Sequence, residues 1–342
     1  MILIAYGTRP EIIKLFPLVH EFKRRNMSFR TLFTGQHPDL YQDVKDLMPE
    51  PDYILSRDKT TSETLCGSFQ RIFSSFEALL GDGKFRCVLI QGDTTTACAI
   101  AQGAFYNQVK VGHIEAGLRT YDVENPFPEE ANRRIISQLA CFNFAPTPRA
   151  LSSLQKEGAR NVYLTGNTIV DALNFFDFER KFENTVLITI HRRENHHQIK
   201  DIFLQLDRVA GKYPDFKFIF PIHPNPNVRK HRRLLTHQNI HVIDPVGYPE
   251  MLEKISRASF IISDSGGLQE EAVYFGKKIL IVRKTTERPE TIESGFGRLV
   301  DVNIAGHIEW ALKTPSFNRN NPFGDGNSSK NIADILIENL YH

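Results

Sequence analysis

The chain has 342 residues, which is enough for two domains of ordinary size, each with its own hydrophobic core. Hydrophobic residues make up 41% of the chain and charged residues 24%, the proportions of a soluble globular protein. The 42 Lys and Arg residues against 40 Asp and Glu residues give a net charge of +2. No global field therefore favours nucleic acid or a membrane as a partner, and an anionic ligand must be recognised by local groups.

The N-terminus, MILIAYGTRPEIIK, lacks a basic region and an apolar core of signal-peptide length, so we interpret it as a first strand. No apolar run in the sequence is long enough to span a membrane. The cysteines form neither a CxxC pair nor a Cys/His cluster, which indicates reduced thiols in a cytoplasmic protein without structural zinc. They are Cys66, Cys87, Cys98 and Cys141.

Short apolar runs alternate with longer amphipathic segments from one end of the chain to the other. The runs are MILIAY, FRTLFT, RCVLIQ, VGHIE, FNFAP, TVLITIH, FKFIFPIH, IHVIDP, ASFIISD and KKILIVR. The amphipathic segments predict helices at 11–26, 62–80, 94–107 and 129–140. This alternation is typical of α/β folds with parallel sheets and crossover helices. Ten strands are too many for one open sheet, so we predict two Rossmann-like, doubly wound domains that face a cleft.

The strand pattern restarts after LTGNTIVDAL, residues 164–173, and a charged, aperiodic stretch, FFDFERKFENT, follows it as a linker would. We therefore predict an N-terminal domain over 1–166 and a C-terminal domain over 167–326. The last segment, NSSKNIADILIENLYH, has a helical apolar pattern. We expect this helix, about 327–342, to pack back on the first domain.

Polar residues follow the predicted strands of the first half at the points where the strands end. Arg9 follows the first strand, Asp93 follows RCVLIQ, and Glu115 follows VGHIE. Asp93 and Glu115 are separated by enough residues for one short crossover helix, so their strands should be neighbours. Glu129 returns to the same edge at the start of the next helix, with Arg133 close by. Clustered carboxylates of this kind are suited to general acid–base chemistry, whereas the lone His113 makes a metal site the weaker interpretation.

The second half carries a different set of residues. ASFIISD leads into Ser265, Gly266 and Gly267 at a helix start, where free backbone N–H groups and the helix dipole attract an anion. Glu271, one turn later, is placed to accept hydrogen bonds from ribose hydroxyls. Three further strand ends carry cationic or imidazole groups, at His191 with Arg192, at His223 and at Arg288.

Two common nucleotide sites are missing from the sequence. No GxGxxG follows the first strand, so a nicotinamide site is not indicated, and no GxxxxGK[ST] is present, which excludes an ordinary P-loop. What remains is a diphosphate-type anion site in the second domain and carboxylates in the first. A nucleoside-diphosphate sugar fits this division.

Nine collinear motifs between about residues 1 and 300 resemble those of the non-hydrolysing UDP-N-acetylglucosamine 2-epimerases of bacterial polysaccharide pathways. They are GTRPEIIK, QGDTTT, HIEAGLRT, PFPEEANRR, TGNTIVDAL, HRREN, IHPNP, SDSGGLQEEA and TTERPE. The resemblance implies the two-domain GT-B fold, a homodimer, and interconversion of UDP-GlcNAc with UDP-ManNAc without a cofactor. It also implies anti elimination of UDP to give 2-acetamidoglucal, followed by re-addition of UDP.

The resemblance also assigns roles to residues. It places the catalytic carboxylates at Asp93, Glu115 and Glu129, without deciding which is base and which is acid. The resemblance also implies which groups neutralise the departing diphosphate: Arg9, Lys14, Arg133, His223 and Arg288. The UDP-binding turn and its ribose contact fall at Ser265, Gly266, Gly267 and Glu271.

Several alternatives remain open. The substrate could be another UDP-2-acetamido sugar, such as a 6-deoxy or diacetamido sugar, or the enzyme could hydrolyse its substrate and release ManNAc. A GT-B glycosyltransferase or a UDP-sugar-sensing binding module are the other classes. Two segments, 34–40 and 58–65, depart from the family pattern, so we do not expect activation by UDP-GlcNAc, known in bacterial relatives, to carry over unchanged.

Overall fold

The computed structural model describes residues 1–35, 44, 47–55, 64–81, 83–313 and 321–340, apart from the side chain of Arg193. Two segments, 34–40 and 58–65, depart from the family pattern. Their residues 36–40 and 58–63 lie outside the described ranges. By its internal contacts the chain divides into unit 1, Met1–Phe175 with Phe323–His342, and unit 2, Phe176–Pro322. The sequence pattern predicted the junction at Gly166. The contact division falls later, because the helix that begins just after Gly166 packs within unit 1.

The described residues contain thirteen strands. They are β1 Ile2–Tyr6, β2 Phe29–Phe33, β3 Tyr53–Ile54, β4 Cys87–Gln91, β5 Lys110–Ile114, β6 Phe142–Ala145, β7 Val162–Leu164, β8 Thr185–Thr189, β9 Lys217–Pro221, β10 Ile240–Ile243, β11 Phe260–Ser263, β12 Lys278–Ile281 and β13 Gly297–Leu299.

The α-helices of the described ranges alternate with these strands. They are α1 Arg9–Arg24, α2 Leu65–Leu80, α3 Thr95–Tyr106, α4 Glu129–Leu139, α5 Pro148–Lys156, α6 Thr168–Leu173, α7 Ile199–Lys212, α8 Pro226–Arg229, α9 Tyr248–Arg257, α10 Gly267–Tyr274, α11 Pro289–Glu293, α12 Ile308–Leu312 and α13 Ser328–Leu340. Short 3₁₀ turns lie at Arg193–Asn195, Arg232–Leu234 and Ala305–His307.

Each unit is built around one parallel sheet. The sheet of unit 1 has the order β3-β2-β1-β4-β5-β6-β7, and that of unit 2 has the order β10-β9-β8-β11-β12-β13. All pairings within both sheets are parallel. The predicted α/β class with two parallel sheets is therefore confirmed. In both sheets the strand order reverses beside the first strand of the unit, β1 or β8, which is where such sheets bind ligands.

Three strands were missed by the sequence pattern, namely β3, β7 and β13. Each lies at the edge of its sheet and has only two or three residues. An edge strand of this length buries little apolar surface, so it leaves no apolar run in the sequence. The ten predicted strands are all present.

The C-terminal helix α13 contacts α1 and α6 of unit 1. Its first turn is held by Asp171 of α6, whose carboxylate accepts the backbone N–H groups of Ser328 (3.2 Å) and Ser329 (2.7 Å). Burial raises the pKa of Asp171 above its ordinary value, against the effect of these hydrogen bonds. The carboxylate thereby caps the helix N-terminus.

Within the described residues, every helix is too short or too polar to cross a lipid bilayer.

Candidate functional site

Glu115, which directly follows β5, is the centre of a buried polar cluster in unit 1. Lys14 Nζ donates a hydrogen bond to its Oε1 and Gln91 Nε2 donates one to its Oε2, while Asn167 Nδ2 lies 3.4 Å from Oε1 as a third donor. The side chains of Lys14 and Glu115 are only 7% and 6% exposed, so their charges compensate each other with little water nearby. Glu115 has a φ of 63°, a conformation that non-glycine residues rarely adopt.

A second buried carboxylate, Glu11, joins the turns that follow β1 and β4. Its Oε2 accepts two backbone N–H groups of the β1 turn (2.8 and 2.7 Å), and its Oε1 accepts the hydroxyl of Thr94 (2.6 Å). The same hydroxyl accepts the N–H of Ala97 (3.0 Å), so Thr94 caps the N-terminus of α3. Burial raises the pKa of Glu11 above its ordinary value, against these hydrogen bonds. Glu11 thus fixes the turn that carries Arg9 relative to the turn that carries Asp93.

Asp93 lies beyond β4, next to the first turns of α4. Its Oδ2 is 3.0 Å from Nε of Arg133, and its carbonyl accepts the side-chain N–H of Asn132 (2.8 Å). Arg133 is 2% exposed, and its Nη1 lies 3.3 Å from Oε2 of the fully buried Glu130. The guanidinium therefore stands between one partly exposed carboxylate and one buried carboxylate.

The predicted neighbourhood of Asp93 and Glu115 follows from the sheet. Their strands, β4 and β5, pair in parallel with Gln91 opposite Ile114, so the two residues leave the same edge on adjacent strands. Their cationic partners differ, since Asp93 lies beside Arg133 and Glu115 beside Lys14. Glu129 is the first residue of α4 and its Oε2 is buried. Arg9 is the first residue of α1 and is partly exposed.

His113 is fully buried within β5, and its Nε2 lies 2.8 Å from the carbonyl oxygen of Gly92. Burial lowers the pKa of His113 to about 4, so the ring is neutral at pH 7. Across the described part of the chain, no three His, Cys, Asp or Glu residues are grouped as metal ligands would be. Its contact with Gly92 links β5 to the turn that follows β4.

In unit 2, the strand ends bring two imidazoles together. His191 follows β8 and His223 follows β9, and their rings stack with centroids 5.5 Å apart and planes inclined by 17°. Burial lowers the pKa of both rings. Each ring can donate a hydrogen bond from an N–H group to a ligand.

The turn at Ser265, Gly266 and Gly267 follows β11 and opens α10, as the sequence pattern predicted. The N–H of Ser265 is not free as expected, because it donates to the hydroxyl of Ser263 (2.9 Å). A Cβ added to Gly266 would lie 2.7 Å from Nη1 of Arg288 and 3.3 Å from Nη2 of Arg192. Glycine is thus needed at 266 so that both guanidinium groups can approach the turn. Three residues that were predicted to bind substrate therefore lie together in unit 2, namely Arg192, Gly266 and Arg288.

Arg288 is held on both sides by carboxylates. Its Nε donates to Glu270 Oε1 (2.6 Å), and its Nη1 donates to Glu287 Oε1 (2.6 Å). Glu271, the predicted ribose contact, is 6% exposed and accepts the hydroxyl of Tyr248 (3.1 Å). The carboxylates fix the guanidinium in one orientation, and the tyrosine does the same for Glu271.

Several side chains of these clusters were not identified from the sequence. They are Gln91 and Asn167 beside Glu115, Glu11 between two turns, Asp264 beside His191, and Glu270 and Glu287 beside Arg288. All six lie inside motifs quoted above, so their position in a motif was the available signal. Their contacts depend on side chains from other strands, which no local pattern reveals.

Two units, each a parallel sheet with polar residues at its carboxyl edge, define an α/β fold of the GT-B type. The solved structure of a glycosyltransferase, described as the glycotransferase of kitacinnamycin, shows the same fold with a TM-score of 0.58. The sequence identity is 11%, and the likeness covers 98% of this chain and 93% of that one. The model of the family described as UDP-N-acetylglucosamine 2-epimerase matches residues 20–337. The chain belongs to this family.

Two relatives are similar over nearly their whole length. The UDP-N-acetylglucosamine 2-epimerase of Neisseria meningitidis serogroup A is 40% identical, over 99% of this chain and 99% of that protein. A crystal structure of UDP-GlcNAc 2-epimerase from Neisseria meningitidis bound to UDP-GlcNAc has a TM-score of 0.90 and 39% identity, and the likeness covers 99% of this chain and 100% of that one. The resemblance predicted from the motifs is confirmed.

Proposed function

We propose that this enzyme interconverts UDP-GlcNAc and UDP-ManNAc by inverting carbon 2 of the sugar, without a nicotinamide cofactor. The observation that carries the proposal is Glu115, a buried carboxylate held by three donors beyond the end of β5, in a chain similar over its full length to an epimerase that binds UDP-GlcNAc. Inversion at carbon 2 requires a base for one face of the sugar and an acid for the other. Unit 1 carries the carboxylates for both.

The proposed mechanism is an anti elimination followed by re-addition. A carboxylate removes the proton from carbon 2, the electron pair forms the double bond between carbons 1 and 2, and the bond from carbon 1 to UDP breaks. The product is enzyme-bound UDP and 2-acetamidoglucal. Protonation of the other face of carbon 2 and re-addition of UDP at carbon 1 then complete the epimerisation.

In this proposal, proton transfer belongs to the carboxylates of Asp93, Glu115 and Glu129. Asp93 has a partly exposed side chain that can meet a substrate, whereas Glu115 is nearly enclosed. Charges that are fixed in place before the reaction stabilise the transition state without reorganising, which suits the fixed positions of Arg133 beside Asp93 and Lys14 beside Glu115.

Unit 2 is proposed to bind UDP. The backbone N–H groups of Gly266 and Gly267 and the guanidinium groups of Arg192 and Arg288 lie at one turn, where a diphosphate can accept hydrogen bonds from them. His191 and His223 would add N–H donors, and Glu271 would accept ribose hydroxyls. Stabilising the diphosphate as it leaves assists removal of a weakly acidic proton. We further propose a homodimer that supplies polysaccharide biosynthesis.

The experiment is to incubate the purified protein with UDP-GlcNAc alone, without nicotinamide or acceptor, and to separate the products by anion-exchange chromatography. UDP-ManNAc accumulating to a constant ratio with UDP-GlcNAc is the expected result. Free ManNAc with an equal amount of UDP would identify the hydrolysing reaction instead. Turnover that begins only when a sugar acceptor is added would identify a glycosyltransferase, and turnover of a 6-deoxy or diacetamido UDP-sugar alone would change the substrate.

Three carboxylate variants test the assignment. Asp93→Asn, Glu115→Gln and Glu129→Gln are each expected to lower kcat by about 10²- to 10⁴-fold, the usual contribution of a general acid or base. Glu124→Gln is the matched control, because Glu124 lies in the same loop region and is exposed. Equal activity of a carboxylate variant and the control would remove that residue from the proposal.

A further inference from the structure

Asp264 is a fully buried carboxylate that none of the roles above uses. It follows β11 directly and precedes the anion-binding turn at Ser265–Gly267. The neighbouring strand β8 ends opposite it, with Ser263 paired to Thr189. The residues after β8, 190–195, form a second turn that carries His191 and Arg192, and we call it the HRREN turn. Asp264 therefore lies between the two turns that are proposed to bind UDP.

Among the described residues, the Asp264 carboxylate is bonded to donors of the HRREN turn. It accepts the backbone N–H of His191 at both oxygens (3.1 and 3.0 Å), the backbone N–H of Arg192 (2.9 Å) and Nδ2 of Asn195 (3.0 Å). Nδ1 of the His191 ring lies 3.3 Å from Oδ1. Asn195 also donates to the carbonyl of Val282 (2.9 Å), so the network reaches the end of β12 as well.

These contacts fix where the Arg192 side chain begins. With its backbone N–H bound to Asp264, Arg192 reaches the glycine turn, where its Nη2 lies 3.3 Å from the position of a Cβ on Gly266. The backbone N–H of Asp264 itself donates to Thr189 O (3.2 Å), which joins the two strand ends from the other side. A binding site holds its ligand well only if its groups are fixed by supporting contacts of this kind.

The negative charge of Asp264 also affects the pKa of His191. Groups facing His191 are the Asp264 carboxylate, which favours the protonated ring, and the Arg192 guanidinium, which disfavours it, together with the stacked ring of His223. His196 also acts on His223. Burial has the largest effect, and the pKa of His191 lies below its ordinary value. Removal of the Asp264 charge should lower this pKa further.

We propose that Asp264 is the positioning residue of the UDP site: it holds the HRREN turn against the glycine turn, so that the Arg192 guanidinium and the glycine turn meet the diphosphate together. This inference rests on the proposed function for the identity of the ligand. It does not rest on it for the geometry, since the carboxylate fixes the turn whether or not a ligand is bound.

The test compares Asp264→Asn with Asp244→Asn, a control in the same unit whose side chain is 94% exposed. Asparagine keeps the shape but turns an amide towards the backbone donors, which leaves buried groups unsatisfied. UDP binding, measured by isothermal titration calorimetry, should weaken on the order of 10- to 100-fold in Asp264→Asn and stay unchanged in the control. NMR titration of the His191 ring should show a lower pKa in Asp264→Asn alone.

A second variant covers the case in which Asp264→Asn does not fold. Asn195→Ala keeps the carboxylate and removes one of its donors, so UDP should bind more weakly while the pKa of His191 stays as in the wild type. If Asp264→Asn folds and both its UDP affinity and its His191 pKa equal those of the wild type, the inference is wrong. Wild-type protein that binds no UDP would refute the proposed function, and the His191 titration would still decide whether Asp264 sets this turn.

Discussion

The buried pair of Lys14 and Glu115 should show strong energetic coupling in unit 1. Each side chain is almost entirely enclosed, and the ammonium donates directly to the carboxylate. Removing one member of a buried ion pair typically costs about 3–5 kcal/mol, because the remaining charge stays in a region of low polarity. Lys14→Met and Glu115→Gln should therefore each lower the free energy of unfolding by about 3 kcal/mol or more.

The double variant separates this pairing from other effects. If the two charges mainly compensate each other, Lys14→Met with Glu115→Gln should lose little more stability than either single variant. The coupling free energy would then be about 2–3 kcal/mol, within the range found for residues in direct contact. Gln91 and Asn167 also contact Glu115, so the cancellation should be incomplete.

The assay is urea denaturation of the four proteins, followed by circular dichroism. Arg257 and Glu183 form an exposed pair in unit 2, with atoms 2.9 Å apart, and provide the control cycle. Exposed pairs couple by less than about 1 kcal/mol. Additive losses at Lys14 and Glu115, within about 0.5 kcal/mol, would show that the pair is not electrostatically coupled, and the reasoning from burial would be wrong.

Three further predictions concern the same unit. Burial lowers the pKa of His113 from 6.5 to about 4, so the unfolded chain binds a proton more readily between these values. Stability should fall by about 3 kcal/mol as pH drops from 6.5 to 4, and His113→Gln should lack this share of the pH dependence in denaturation curves. Gly117→Ala should cost about 2–4 kcal/mol by thermal unfolding, because φ is 92° and the Cβ would lie 2.3 Å from Ala150 O. Glu11→Gln should lower the free energy of unfolding in urea by about 1–3 kcal/mol and lower kcat, because the turn after β1 loses its charged acceptor. Unchanged values for any of the three variants would contradict the contacts described.

Much of the fold could be predicted from periodicity alone. The apolar runs identified both sheets, and the spacing between Asp93 and Glu115 correctly placed them after adjacent strands, because one crossover helix must lie between parallel neighbours. The edge strands β3, β7 and β13 could not be predicted, since two or three residues give no periodic signal. The contact division after Phe175 depends on where α6 packs, which is a tertiary property.

The candidate site was less accessible from the sequence. Lys14 was expected from the resemblance to face the diphosphate, and its contact with Glu115, 101 residues away, follows only from the fold. In the sequence, Gln91 is the last residue of an apolar run, and the neighbouring residues do not indicate that its amide contacts a carboxylate. Asp264 reads as the residue before a glycine turn, whereas its function in the structure is to bind the backbone of another strand end. Residue types at strand ends indicate a site, but the partners that position them come from distant segments.

Proton NMR of the enzyme with UDP-GlcNAc in heavy water reports directly on proton exchange at carbon 2. We expect UDP-ManNAc to appear with deuterium at carbon 2, and recovered UDP-GlcNAc to gain deuterium there as the reaction reverses. UDP-ManNAc that retains its original proton at carbon 2 would contradict proton exchange by the carboxylates. An unchanged spectrum at high enzyme concentration would contradict the epimerase activity itself.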